Sequence, residues 1–275
     1  LGSTGSGLIG STVKGAGDVN GDGLADVIVA SQYADPTVDG VLRTNAGVSF
    51  VLFGRSYSNP VAYTSMDLLS LATSGSPLGF AIRGVAGSSS GREVSGAGDV
   101  NGDGLTDVII GASIANPVVN GTTRTNAGAM FVVFGRHIST GTAAYSNVDL
   151  LPIFTAGSSV GFAIYGAAAS EYGGDALSTA GDVNGDGIDD IMVGVFGTNA
   201  VVNGATRVDA GVTFIIYGRK YTRGVDSYTN IRLVDIVSDS LIGYVLYGAA
   251  ESDLSGGAVS AAGDVNGDGM PDLLL

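Results

Sequence analysis

The sequence has no cysteine, no tryptophan and only one histidine in 275 residues. Without cysteine it can form neither disulfide bonds nor thiolate metal sites. Basic residues are scarce too, because 12 Lys and Arg stand against 26 Asp and Glu, for a net charge of −14. Nucleic acids and anionic membrane surfaces require a basic face, so neither is expected as a partner. No apolar run reaches the roughly 18 residues of a membrane-spanning helix, so no direct membrane insertion is expected.

Glycine is the abundant residue, at 46 positions, and the segments between glycines are rich in Val, Ile, Leu and Ala. The glycines lack the three-residue period of collagen, and a hydrophobic content of 45% is ample for a core. Short apolar runs bounded by Gly, Asn and Asp predict strands joined by tight turns. No window shows the period of a long amphipathic helix, so we predict an all-β fold.

Four nearly identical segments show that the chain is a tandem repeat. Each contains Gly-Asp-Val-Asn-Gly-Asp-Gly, and the first aspartates of these segments lie 81, 83 and 82 residues apart, at Asp18, Asp99, Asp182 and Asp264. An aromatic-Gly-Arg step begins 35 residues after each of the first three, at Phe53, Phe134 and Tyr217. A fixed period of this length predicts a repeat architecture. We predict repeat 1 over residues 1–79, repeat 2 over 80–161, repeat 3 over 162–243 and a partial repeat 4 over 244–275.

Each full repeat contains four predicted antiparallel strands. In the second repeat they cover residues 94–100, 108–112, 129–134 and 162–166. Between the second and third strands, an Asn-Gly or Asp-Gly pair favours a type I′ turn and predicts a small extra hairpin, with its turn at Asp39-Gly40, Asn120-Gly121 and Asn203-Gly204. Leu1 aligns with a strand four and Leu275 with a strand two, so we expect these residues to be part of a longer array.

The repeated loop has the pattern Asp-x-Asn-x-Asp-Gly-x-x-Asp, which suits an oxygen-ligated cation. Side chains at positions 1, 3 and 5 point to one centre as the chain curls, position 7 offers its carbonyl, and position 9 closes the ring. Hard, mostly carboxylate donors favour Ca²⁺ over Mg²⁺, and no His or Cys nearby favours a transition metal. We predict one Ca²⁺ per repeat, up to four, held by Asp18, Asn20, Asp22, Leu24 and Asp26; by Asp99, Asn101, Asp103, Leu105 and Asp107; by Asp182, Asn184, Asp186, Ile188 and Asp190; and by Asp264, Asn266, Asp268, Met270 and Asp272.

The loop sequence argues against two other interpretations. An EF-hand needs a bidentate Glu at position 12, whereas these loops have apolar residues there, at Val29, Ile110, Val193 and Leu275. Asp, Asn and Gly also make good turns without any metal, but four copies that keep every ligand argue against a plain turn. Four sites would use twelve of the 26 acidic residues, and four bound Ca²⁺ would bring the net charge from −14 to about −6.

These motifs resemble the FG-GAP repeat family, best known from the β-propeller of integrin α subunits. The resemblance rests on the loop from Asp99 to Asp107, on the apolar strand that ends Gly111-Ala112, and on the segment from Gly128 to Gly135. The period near 82 is similar to that of the longer FG-GAP repeats in large microbial surface proteins. The resemblance implies β-propeller-type blades of four antiparallel strands, one for each repeat of about 82 residues. It also implies that ligands bind the face opposite the calcium loops.

The implied function is that of an extracellular or cell-surface scaffold, stabilised by calcium, that serves adhesion or ligand binding. Its partners would be a protein or glycan ligand, or copies of itself, and it would not be an enzyme. With one histidine and no cysteine, no Ser-His-Asp or Cys-His arrangement can repeat along the chain. Two alternatives remain open: an accessory repeat region of a larger, phospholipase-like enzyme, or a structural subunit of an extracellular filament.

Some repeated or single residues outside the loops favour structural roles. An arginine recurs 25 residues after the first aspartate of each full repeat, at Arg43, Arg124 and Arg207. Packing between blades, or a salt bridge, is the expected role of these arginines. His137 follows an aromatic-Gly-Arg step and is expected to be a solvated loop residue.

Overall fold

The apolar runs form strands where the sequence predicts them. The computed structural model describes residues 8–56, 66–72, 76–137, 145–155, 158–221 and 228–275. The fold is all-β, with antiparallel sheets that form propeller-like blades, as the sequence predicts. The predicted strand-four alignment of Leu1 lies outside the described residues.

Three complete blades and one partial blade follow one another along the chain. Blade 1 contains β1 (Thr12–Gly17), β2 (Asp26–Ser31), β3 (Thr37–Val38), β4 (Val41–Leu42), β5 (Val48–Leu52) and β6 (Gly79–Arg83). Blade 2 contains β7 (Val94–Gly98), β8 (Asp107–Ala112), β9 (Val118–Val119), β10 (Thr122–Thr123), β11 (Ala129–Val133), β12 (Val148–Asp149) and β13 (Gly161–Tyr165).

Blade 3 contains β14 (Ala176–Gly181), β15 (Asp190–Val195), β16 (Ala200–Val202), β17 (Ala205–Arg207), β18 (Val212–Ile216), β19 (Ile231–Arg232) and β20 (Gly243–Tyr247). The partial blade contains β21 (Ser260–Gly263) and β22 (Asp272–Leu274). Short helices lie before the fourth strand of each full blade: α1 (Leu68–Leu71), α2 (Leu150–Thr155) and α3 (Leu233–Ile236). No helix in the described ranges has the length and apolar character that crossing a membrane demands.

Each blade is a four-stranded antiparallel meander. In blade 3 the order is β14-β15-β18-β20, and the first four strands of the blade 1 sheet follow the same order. The first strands of consecutive blades pack side by side, β1 on β7, β7 on β14 and β14 on β21. The calcium-type loops therefore all lie at the same end of neighbouring blades, where the first strand turns into the second.

The predicted hairpins between strands two and three are confirmed. β3 pairs with β4, β9 with β10 and β16 with β17, and an Asp-Gly or Asn-Gly pair makes each turn. Both turn residues have positive φ, for example 51° at Asn120 and 76° at Gly121, as a type I′ turn requires.

The segment between strands three and four contains structure that the sequence did not predict. It contributes a two-residue strand that adds to the sheet of the preceding blade, in parallel with strand four. Val148 in β12 pairs with Ile82 in β6, and Ile231 in β19 pairs with Ile164 in β13. Consecutive blades are therefore joined by backbone hydrogen bonds as well as by side chains.

The hydrophobic core lies between neighbouring blades. One cluster joins Ile28 and Phe80 of blade 1 to Val108 and Phe131 of blade 2, and all four side chains are fully buried. An equivalent cluster joins blade 2 to blade 3. Strands two and three of blade 2 are continuous apolar runs because the sheets of blades 1 and 3 cover both of their faces.

Arginine side chains support this packing. Arg43 donates hydrogen bonds to both carboxylate oxygens of Asp149 in the next blade, at 2.6 and 2.8 Å. Arg43 also donates to the carbonyl oxygen of Gly84 at 3.1 Å, and Arg124 and Arg207 donate to the equivalent carbonyl oxygens of Gly166 and Gly248. The expected salt bridge between blades is confirmed for Arg43, and all three arginines have structural contacts.

Candidate metal centre

Each predicted metal loop follows a β-bulge at the end of the first strand and precedes the second strand of its blade. In blade 2 the pairing of β7 with β8 shifts register between Gly96 and Gly98, and the loop starts at the next residue. The position-six glycine, Gly104, has a φ of 89°, and an added Cβ would meet no atom within 4 Å. Glycine is needed there for its backbone conformation rather than for lack of space.

Carboxylate and amide oxygens hold the loop in a tight curl. Asp99 accepts hydrogen bonds from the backbone N–H groups of Asp103 and Gly104, at 3.0 and 2.8 Å. Asn101 Oδ1 accepts from Asp103 N at 2.8 Å, and Asp103 Oδ1 accepts from Leu105 N at 3.0 Å. The other three loops repeat this pattern at Asp18, Asp182 and Asp264. The four sequences thus fold into one common loop geometry.

The aspartate at position nine ties the loop to the rest of the blade. Asp107 is fully buried, and it accepts hydrogen bonds from the N–H groups of Val100, at 3.1 Å, and Gly135, at 2.9 Å. Gly135 follows strand three, so this carboxylate joins the loop to a strand that is distant in sequence. Asp26 and Asp190 are buried in the same way and make the equivalent bonds.

Burial also changes the acidity of these aspartates. Desolvation raises the pKa of Asp26 and of Asp190 to about 6, and backbone hydrogen bonds oppose part of this rise. Repulsion from the carboxylates at positions one and five of the same loop raises these pKa values further. Desolvation likewise raises the pKa of Asp107 well above its usual value. Among the residues described, no salt bridge reaches a loop carboxylate, so the protein itself leaves this charge uncompensated.

The position-seven residues offer a further oxygen. Their backbone N–H groups are used inside the loop, but within the described ranges their carbonyl oxygens accept no hydrogen bond. The four residues are Leu24, Leu105, Ile188 and Met270. Each carboxylate oxygen carries two lone pairs, so the loop's internal bonds leave capacity for a cation.

The loops fit calcium by donor chemistry rather than by a cluster of acidic side chains alone. Across the described part of the chain, no three Asp, Glu or His side chains are grouped so that they could hold a metal ion. An asparagine and a backbone carbonyl would have to complete the donor set, and Ca²⁺ accepts both in its flexible cage of oxygens. In loop one, the Asn20 amide nitrogen donates to Asp22 at 3.0 Å, so this amide group would have to rotate to offer its oxygen. The predicted ligands of each site therefore lie in one loop, but the three carboxylates of that loop do not converge on a single point.

The following blade closes over loops one and two. The Tyr145 hydroxyl lies 3.3 Å from the Val19 carbonyl of loop one, and Arg136 N donates to that same carbonyl at 2.9 Å. The Tyr145 ring stacks on Phe80 at 4.5 Å between ring centroids. Tyr228 and Arg219 make the equivalent contacts to Val100 of loop two. The sequence did not predict a role for these tyrosines, although each lies nine residues after the arginine of its aromatic-Gly-Arg step.

His137 is exposed, as expected, but it is not remote from the loops. A Cβ added at Gly21 in loop one would lie 2.3 Å from His137 Nδ1. The imidazole therefore packs over the loop backbone of the preceding blade. That contact gives this single histidine a structural place between blades.

Comparison with known families agrees with this geometry. The model of the FG-GAP repeat matches residues 15–52 and 90–133, and each match runs from strand one through the loop to strand three. The chain contains FG-GAP repeats. The third and fourth loops lie outside the matched residues, yet they make the same hydrogen bonds. A search of curated proteins found no match.

Proposed function

We propose that this chain is an extracellular FG-GAP scaffold, stabilised by calcium, that serves adhesion or ligand binding. The repeats indicate an integrin-like repeat scaffold, and FG-GAP repeats typically occur in extracellular proteins. The proposal that calcium binds rests on the loop carboxylates. Each loop has three carboxylates with no salt-bridge partner among the described residues, and in every full blade one of the three is buried. A bound cation would neutralise this charge and favour the ionised form of the buried aspartate.

In loop one the ion would be held by Asp18, Asn20, Asp22, Asp26 and the Leu24 carbonyl. The equivalent residues would hold the ion in the other loops. Bound calcium would supply positive charge at the start of strand two and would favour the folded loop over the unfolded chain. Millimolar calcium outside cells suits sites of this kind, which then serve order rather than signalling.

Titration calorimetry on the full chain tests this proposal. We expect calcium binding with up to four sites, and Asp103→Asn should remove one of them because it deletes a ligand charge with little change in shape. Asp39→Asn is the matched control, since Asp39 is an exposed hairpin residue outside the loops. Absence of calcium binding in the wild-type chain, or equal stoichiometry in both variants, would contradict the assignment.

Ligand binding is proposed for the face opposite the loops, formed by the hairpins and by the connections from strand four to the next blade. Large apolar side chains are exposed there: Tyr172 is 40% accessible, Phe196 40% and Leu254 49%. Tyr172 and Leu254 also have positive φ values of 53°, a costly conformation for residues of this size. A protein or glycan ligand, or a second copy of the chain, would cover these side chains.

An array of immobilised glycans and extracellular-matrix proteins, probed with the full chain in calcium, tests this surface. We expect at least one ligand, whose binding falls in Tyr172→Ser and Phe196→Ser variants that keep their calcium stoichiometry. Binding that survives both substitutions would exclude this face. Hydrolysis of a phospholipid or glycan by the purified chain would contradict the non-catalytic role.

A further inference from the structure

The residue at position eight of loops two, three and four points toward the preceding blade. Its side chain packs on the bulge glycine just before the preceding loop. A Cβ added at Gly17 would lie 2.4 Å from Thr106 Oγ1, and one added at Gly98 would lie 2.4 Å from Asp189 Oδ2. Gly181 has the same relation to Pro271, at 3.0 Å. The loops of consecutive blades are therefore in direct contact through this position.

Asp189 makes a contact that the other position-eight residues do not make. Its Oδ2 accepts a hydrogen bond from the backbone N–H of Asp99 at 2.8 Å, and its own N–H donates to the Asp99 carbonyl at 3.1 Å. Thr106 keeps only the second type of bond, from its N–H to the Asp18 carbonyl at 3.0 Å. Within the described ranges, no side chain accepts from the N–H of Asp18 or Asp182. Among the described residues, only loop two has the backbone of its first ligand held on both sides by the next blade.

We propose that Asp189 is a positioning residue for loop two and makes it the calcium site of highest affinity in the chain. This inference rests on the calcium binding proposed above. Two effects of Asp189 would raise the calcium affinity of loop two. The paired hydrogen bonds fix the backbone of Asp99 before the ion binds, and calcium affinity rises with site rigidity. The carboxylate also adds a negative charge beside a loop that already has three.

The expected size of the effect follows from what second-layer partners do at other metal sites. Removing a residue that orients a metal ligand typically costs about 10- to 100-fold in affinity. Asp189→Asn keeps an acceptor oxygen but removes the charge, so we expect the calcium affinity of loop two to fall about 10-fold. Asp189→Thr reproduces the contact of Thr106 with Gly17, so loop two should then bind calcium as weakly as loop one.

Calcium titration of the isotope-labelled full chain by NMR tests each loop separately. The amide signals of the position-six glycines report the four loops, because each of these N–H groups donates to the first aspartate of its own loop. The reporters are Gly23, Gly104, Gly187 and Gly269. In the wild-type chain we expect Gly104 to reach its midpoint at the lowest calcium concentration.

In Asp189→Asn the calcium concentration at the Gly104 midpoint should rise about tenfold. The midpoint of Gly187 should change less, even though Asp189 belongs to loop three. The reciprocal variant Thr106→Asp should lower the Gly23 midpoint, which provides a second test if the first variant folds poorly. Asp39→Asn, which removes one charge far from the loops, should leave all midpoints unchanged.

A Gly104 midpoint that stays fixed in Asp189→Asn, or a larger change at Gly187 than at Gly104, would overturn this inference alone. If no glycine signal responds to calcium in the wild-type chain, both the calcium function and this inference fall together. The two failures are therefore distinguishable in one experiment.

Discussion

The second and fourth loops share the sequence Asp-Val-Asn-Gly-Asp-Gly, yet their surroundings differ. Asp107, at position nine of loop two, is fully buried and accepts hydrogen bonds from Val100 and Gly135. Asp272, its counterpart in loop four, is only partly buried, and its partners Val265 and Asn266 belong to its own loop. A third strand and a following blade enclose loop two, whereas loop four has only β21 and β22 of its own blade beside it within residues 1–275. The motif sets the curl of the loop, whereas the neighbouring blade sets its burial and its electrostatics.

Removal of the position-nine carboxylate should show the largest difference between the two loops. Asp107→Ala leaves the buried N–H groups of Val100 and Gly135 without an acceptor, so we expect a loss of about 2–4 kcal/mol in the free energy of unfolding. Asp272→Ala leaves only exposed groups unpaired, and we expect a loss of less than about 1 kcal/mol. Urea unfolding in excess chelator measures both, because without calcium the loss of a metal ligand does not enter the comparison. Equal losses would show that enclosure by the next blade does not matter.

The pH dependence of stability should reverse with calcium because of the enclosed loops. The buried Asp26 and Asp190 have pKa values of about 6 in the folded chain, above the unfolded value of 3.8. In chelator the folded state binds protons more readily, so stability should rise as the pH falls from about 7 to about 5. In calcium the carboxylates must stay ionised to bind the ion, so stability should fall over the same range. Urea midpoints at both pH values, with and without calcium, check this, and slopes of the same sign would contradict it.

The smallest expected effect concerns the tyrosine that closes over loop two. Tyr228→Phe removes a hydroxyl that lies 2.7 Å from the Arg219 carbonyl and 3.2 Å from the Val100 carbonyl. We expect a loss of about 0.5–1.5 kcal/mol in the free energy of unfolding, with the ring stack on Phe162 retained. Tyr247→Phe is the control, because that partly exposed tyrosine lies far from the loops. A loss no larger than that of the control would show that the hydroxyl does not stabilise loop two.

Much of the fold follows from the sequence because the repeat imposes one local pattern three times. The period, the four main strands and the Asn-Gly hairpins were predictable, since apolar runs and turn residues act locally. The parallel strand at Val148 was not predictable, because two residues carry no period and their pairing depends on the neighbouring blade. The predicted metal ligands lie together in each loop because they are close in sequence. The contacts of Asp189 and Tyr145 arise from packing between blades, which no pattern within one repeat reveals.

Thermal unfolding of the full chain in excess calcium and in excess chelator tests the central claim most directly. Each enclosed loop contains three carboxylates that have no salt-bridge partner among the described residues, so bound calcium should stabilise the folded state. At 100 times the dissociation constant, one site alone contributes about 2.7 kcal/mol. We therefore expect a higher melting temperature in calcium, and a smaller difference for Asp103→Asn than for Asp39→Asn. Identical melting curves of the wild-type chain in calcium and in chelator would contradict the account.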